Sequence, residues 1–186
     1  MKQINGGVCA AKGFKASGVH CGIRKNKTKK DLALIYSEKK AAAASVYTTN
    51  LVKGAPITVT KNNIADGYAQ AVICNSGNAN TCNANGIEIA EKMCALLGEK
   101  LGVDATDVIV ASTGVIGQPL DIEPIANGIP ALVDGLKADG GEDAATAIMT
   151  TDTVEKIISY SFEIGGKECK IGGIAKGSGM IHPNMA

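Results

Sequence analysis

The chain has 186 residues, 45% hydrophobic and 20% charged, with a net charge of +1. This describes a soluble globular protein with enough length to bury a core, and it excludes disorder. Near-zero charge removes the electrostatic case for nucleic acid or an anionic membrane, and two Phe, four Tyr and no Trp leave few faces for stacking bases.

In chain order, residues 1–30 are rich in Gly, Lys and small residues. They predict loop with short extended pieces, and the run KNKTKK (Lys25 to Lys30) reads as solvated. LALIYS (Leu32 to Ser37) is an apolar run bounded by charges and suits a buried strand. In AAAASVYTTN the β-formers Val46, Tyr47, Thr48 and Thr49 outweigh the Ala run, so a turn into a strand is predicted. A further short strand is predicted around Ile57 to Thr60. QAVICNS (Gln70 to Ser76) predicts a strand running into the irregular loop NSGNANTCNANG.

A helix is predicted over Gly86 to Leu101. Ile89, Met93, Leu96, Leu97 and Leu101 share one face, with Glu88 and Glu91 early and Lys100 late, as the helix dipole favours. DVIVAS (Asp107 to Ser112) predicts a strand ending in TGVIG. Between Asp121 and Leu136 the apolar residues recur helically, but Gly128 and Pro130 interrupt them. A short helix, a break and a second helix from near Pro130 are therefore expected. Asp143 is a candidate cap for a short helix through Ile148. Ile158, Tyr160, Phe162 and Ile164 alternate before Gly165-Gly166, which predicts a hairpin. Helices and strands intermix, so the expected fold is α/β of the layered α+β kind, with mixed sheets, packed helices and a single domain over 1–186.

The six cysteines (9, 21, 74, 82, 94 and 169) show no CxxC spacing, and there are two histidines. Free thiols in a reducing cytosol and no metal site are expected. No apolar run has spanning length and the N-terminus lacks a signal-peptide core, which makes the cytoplasm the expected location.

Four stretches carry chemistry. NSGNAN (Asn75 to Asn80) offers backbone N–H groups and amides for an anion, or is a tight loop held by its own Asn side chains. In STGVIG (Ser112 to Gly117) the Thr113 hydroxyl and the Gly114 N–H can form an oxyanion hole, or the segment is a plain strand exit. MTTDT (Met149 to Thr153) is a hydroxyl cluster for a polar substrate group, or a turn. Lys176, before a glycine-rich turn, is a candidate partner for a carboxylate, or is simply solvated. No Ser/His/Asp or Cys/His arrangement is legible.

Five blocks occur in order: GGVCAAKGFKASGVHCGIRK (Gly6 to Lys25), VICNSGNANTCNANG (Val72 to Gly86), VIVASTGVIGQPL (Val108 to Leu120), IMTTDT (Ile148 to Thr153) and IAKGSGMIHPNMA (Ile174 to Ala186). Together they resemble the ornithine acetyltransferase family, the bifunctional arginine-biosynthesis (glutamate N-acetyltransferase) proteins. The resemblance implies an α chain of a precursor that cuts itself after Ala186. It implies a β chain starting with a nucleophilic Thr, and an α₂β₂ heterotetramer. The implied fold is layered α/β, distinct from the usual N-terminal-nucleophile fold although the chemistry converges.

The implied reaction moves the acetyl group from N-acetylornithine to glutamate through an acetyl-threonine. By the same resemblance Thr113 and Gly114 form the oxyanion hole, Thr153 and Lys176 bind substrate, and Ala186 is the cleavage site. Within MTTDT, Thr150, Thr151 and Thr153 all remain candidates. No cofactor is implied. Some members also take acetyl-CoA as donor, which these residues do not decide. Two rival readings are a related self-processed aminopeptidase and a metabolite-binding protein with a decayed site.

Overall fold

The computed structural model describes residues 1–186. Seven strands and four helices form two sheets with helices packed on them. In chain order they are β1 (Lys2–Gln3), β2 (Phe14–Val19), β3 (Leu32–Ala42), α1 (Ala55–Asn63), β4 (Tyr68–Asn78), α2 (Gly86–Leu101), β5 (Val108–Val115), α3 (Glu123–Asp134), α4 (Gly141–Ile148), β6 (Lys156–Ile164) and β7 (Lys167–Ala175). The mixed sheet runs β2-β3-β4-β5 and the antiparallel sheet β1-β6-β7. Only β4 and β5 are parallel, joined through α2. This agrees with the layered α/β class expected from the sequence.

Alternation along the strands builds two layers. Leu32, Leu34, Ala71, Ile73, Val108 and Val110 bury one face of the mixed sheet under α1, α2 and α3, against Met93, Leu97, Ile125, Ile129 and Leu132. Ala16 and Ala33 on the other face meet Ala144 and Ala147 of α4. Small residues let α4 come very close: a Cβ at Gly18 would lie 2.2 Å from the Asp143 carbonyl oxygen. α4 also touches β6 and β7, which links the two sheets.

Helix α2 forms where its periodicity predicts. Ile89, Met93 and Leu97 are buried, and Gly102 closes the helix at φ 72° with its N–H on Gly98 O. The hairpin is also present, with Gly165 and Gly166 both at positive φ (57° and 76°) and Ile164 opposite Lys167.

Four expectations need correction. The segment around Ile57 to Thr60 is not a strand but helix α1, with Pro56 in its first turn. Its role explains the change. β5 is an edge strand, and Thr60 Oγ1 donates to Val110 O (2.8 Å) and accepts from Val110 N (3.1 Å), while Asn63 Nδ2 donates to Val108 O (2.8 Å). The helix thus satisfies an edge that would otherwise be bare, and this outranks local β propensity.

Residues 43–49 form no strand beyond the isolated Thr48–Met185 bridge. The two helices expected around Pro130 are one helix, α3. Pro130 is exposed, where water can replace the lost N–H bond. Asp143 does not cap α4, which begins at Gly141. Its carboxylate lies in the first turn and pairs with Lys30 and Lys137.

Candidate active site

The parallel strands carry the site at their carboxyl ends. β5 continues past Ser112 to Val115, so Thr113 and Gly114 lie within the strand and not in a turn, and Gly114 pairs with Gly77 of β4. Gly114 has φ 135°, and a Cβ there would lie 2.3 Å from Gly77 C. Only glycine allows the strand ends to approach this closely.

NSGNAN holds the neighbouring loop from within. Asn75 Nδ2 donates to Asn78 O (2.9 Å), Asn78 Oδ1 accepts from Asn80 N (2.8 Å), and Asn80 Nδ2 donates to Gly86 O at the start of α2 (2.8 Å). Asn75 to Asn78 thus extend β4, against the expected irregular loop, and only Ala79 and Asn80 leave the strand. The Asn side chains bond nearby backbone as the tight-loop alternative expects, with Asn75 Oδ1 buried and unpartnered.

Two other elements end beside Gly114. The threonines of MTTDT follow α4, whose C-terminus is tied to β4 by Ser76 Oγ on Ala147 O (2.6 Å). Lys176 follows β7. A cavity of about 530 Å³ is lined by Thr113, Gly114, Thr150, Thr151 and Lys176, together with Arg24. A second cavity adjoins it, sharing Thr113, Gly114 and Lys176 and extending past Lys53 and Thr81 to Met180 and Pro183. Neither cavity is lined by an acidic residue, while Arg24, Lys53 and Lys176 all face them. With cations and no acid on its walls, the arrangement suits an anionic ligand.

The sequence candidates divide accordingly. Thr113, Gly114 and Lys176 come together. Of the MTTDT threonines, Thr150 and Thr151 line the cavity and Thr153 does not. Residues 178–181 and Pro183 line the second cavity, while Ala186 lies beyond it, its N–H and C=O both bonded to Tyr47 (2.9 and 3.1 Å).

Two residues escaped the sequence reading. Asp152 locks MTTDT to the Lys176 strand. Its Oδ1 accepts from Gly177 N (2.7 Å) and Lys156 Nζ (2.7 Å), its Oδ2 accepts from Thr150 N (3.3 Å), and its side chain is 3% exposed. Lys156 and these N–H groups hold the carboxyl far below the usual carboxylate range. Arg24 is set by a buried carboxylate: Asp31 accepts from the N–H groups of Cys21 (2.6 Å), Gly22 (3.3 Å) and Arg24 (2.9 Å). The signals available were an acid inside a threonine cluster and the chain's only arginine.

The thiols are unsuited to nucleophilic work. Burial pushes Cys74 up to about 12 even with Lys176 pulling it down, and burial beside Asp31 pushes Cys21 up to about 12.

The ArgJ family model matches residues 15–186. The chain belongs to the ArgJ family. It is 49% identical over its whole length to the arginine biosynthesis bifunctional protein ArgJ of Caldanaerobacter subterraneus subsp. tengcongensis, covering 46% of that protein. It is 52% identical over 98% of its length to the ArgJ protein of Gloeobacter violaceus, covering 45%. The chain thus spans about half the length of the curated relatives it matches. Among solved structures it is similar to the ArgJ protein of Bacillus halodurans (TM-score 0.93, 45% identity, 99% of this chain and 97% of that one). It is equally similar in fold to an ornithine acetyltransferase of Mycobacterium tuberculosis solved with ornithine (TM-score 0.93, 36% identity, 100% and 99%). No helix of this ArgJ-family chain is long and apolar enough to cross a membrane.

Proposed function

We propose that this chain supplies the oxyanion hole and part of the substrate pocket of a glutamate N-acetyltransferase, moving acetyl from N-acetylornithine to glutamate in the cytoplasm. The observation that carries the reading is one pair of adjoining cavities sharing Thr113, Gly114 and Lys176, with cations and no acid on their walls. Family membership and the ornithine-bound M. tuberculosis relative support it.

The attacking hydroxyl belongs to a threonine outside this chain, on a partner made from the other half of the precursor. The extents support such a partner: the curated relatives are about twice as long, whereas the solved chains match this one almost end to end. In this reading Ala186 is the acyl side of the self-cleaved bond, the chain folds as one unit, and two such pairs assemble as α₂β₂.

As the threonine oxygen attacks the acetyl carbonyl it passes its proton to the free α-amine of the same residue, which returns it to the departing nitrogen, and the carbonyl electron pair moves onto the carbonyl oxygen. The Thr113 hydroxyl and Gly114 N–H stabilise that oxyanion. Its collapse breaks the C–N bond, the nitrogen takes a proton, and ornithine leaves. The glutamate amine then attacks the acetyl-threonine by the same route. Lys176 pairs the substrate carboxylate, and Thr150 or Thr151, tied to the same segment through Asp152, contacts the substrate beside it.

The test uses the full-length protein. Mass spectrometry is expected to find a second polypeptide starting with Thr. Ornithine release from N-acetylornithine is expected to turn over only when glutamate is present. Equal turnover without glutamate would indicate a hydrolase of the aminopeptidase kind instead. A parallel assay with acetyl-CoA as donor decides whether it is also accepted.

A further inference from the structure

We infer that Arg24 is the acceptor-specificity residue, pairing the side-chain carboxylate of glutamate while Lys176 pairs the α-carboxylate. This rests on the acetyl-transfer reading above. Arg24 is the only arginine in the chain, and it lines the cavity that holds Thr113, Gly114 and Lys176. It takes part in none of the chain's ion pairs, although Asp and Glu residues elsewhere pair with Lys15, Lys30, Lys40, Lys137 and Lys156.

Its position is built. The Asp31 carboxylate gathers the backbone of residues 21–24, and one guanidinium N–H donates to the Met149 carbonyl just before the threonine cluster. Gly77 clears the path of the side chain, since a Cβ there would lie 3.1 Å from Arg24 Cγ. A guanidinium has five N–H donors, so the Met149 bond leaves donors in a fork suited to a carboxylate.

The chemistry of the two half-reactions then assigns the partner. The donor, N-acetylornithine, has one carboxylate, and its side chain ends in an ammonium that gains nothing from a guanidinium. The acceptor, glutamate, has two carboxylates and matches two cations on an acid-free wall. Lys53 is the competing cation, but it is exposed and lines only the second cavity, whereas Arg24 is half-buried and held by its loop.

The experiment measures both half-reactions of the full-length protein, with thermal unfolding as a check on folding. Arg24→Gln is expected to lower kcat/KM for glutamate by about 10- to 100-fold, the value of a charged hydrogen bond. Kcat/KM for N-acetylornithine is expected to change less than about threefold, and Arg24→Lys to recover part of the glutamate loss. Equal loss in both half-reactions would make Arg24 a structural tie to Met149 and overturn the inference, as would no loss at all or the same selective loss from Lys53→Gln.

A second arm needs no variant: glutamine, the neutral isostere, should be at least tenfold poorer than glutamate as acceptor of the unaltered protein. Equal use of the two would also overturn it. Failure of the acetyl-transfer reading is distinct, because the unaltered protein would then release no ornithine.

Discussion

A donor that meets only a developing oxyanion acts on turnover and not on substrate affinity. Thr113→Ala is therefore expected to lower kcat for acetyl transfer by about 10²-fold or more in a steady-state assay of the full-length protein, with KM little changed. Gly114 is constrained differently. A Cβ there would meet Gly77 C at 2.3 Å, so any side chain moves the N–H by forcing the strand ends apart. The cysteines give an independent residue-scale check. A thiol raised to about 12 stays protonated throughout the neutral range, so iodoacetamide at pH 7.5 should alkylate exposed Cys82 and spare Cys74, as read by peptide mass spectrometry. The spacing of the cysteines in the sequence argues only against a metal site. Thr113 and Gly114 are legible in the sequence through a motif, whereas Asp152 shows only as an acid inside a threonine cluster, because no short motif links residue 152 to residue 177.

Elements matter here through their ends. α4, β4, β5 and β7 all stop around one cavity, and Asp152 fixes the register between two of those ends. Its carboxyl is depressed, so the clamp is present above the usual carboxylate pKa and lost only as strong acid protonates it. It should thus hold unchanged from pH 5 to 9. Asp152→Ala is expected to raise KM for glutamate about tenfold or more, because Lys176 and the threonines lose their common anchor. Gly177→Ala should do the same, since its Cβ would lie 2.9 Å from Asp152 Oδ1. Lys156→Met, which leaves the Gly177 and Thr150 bonds in place, should have a much smaller effect. A second element-scale expectation concerns α1. Thr60→Val leaves the Val110 N–H and C=O unpaired and buried, at a cost of about 1–3 kcal/mol in denaturant unfolding.

For the whole molecule, the segments packed between the two sheets meet their strands at glycines. A Cβ on Gly172 of β7 would lie 1.7 Å from Gly7 O, and one on Gly140, just before α4, 1.8 Å from Ala16 O. Gly172→Ala is expected to destabilise the fold by about 3 kcal/mol, the upper range of overpacking, and to lower Tm by roughly 6–12 °C in calorimetry. Because β7 leads directly to Lys176, activity should fall along with stability.

Local periodicity was sufficient where an element answers mainly to its own side chains. The apolar face of α2, the alternation and paired glycines of β6 and β7, and the short apolar runs of β3, β4 and β5 were legible in the sequence, as was the ordered set of motif blocks. Only the tertiary structure decided the rest. Residues 55–63 became a helix because the open edge of β5 needed hydrogen-bond partners, and α3 stayed whole because Pro130 faces water. Thr151 rather than Thr153 reaches the cavity because Asp152 turns the segment onto Gly177. Arg24 joined Lys176 across some 150 residues of chain because a buried aspartate and one carbonyl hold it there. In each case a long-range bond or a close approach, with no counterpart in local sequence, outweighed the preference of the residues themselves.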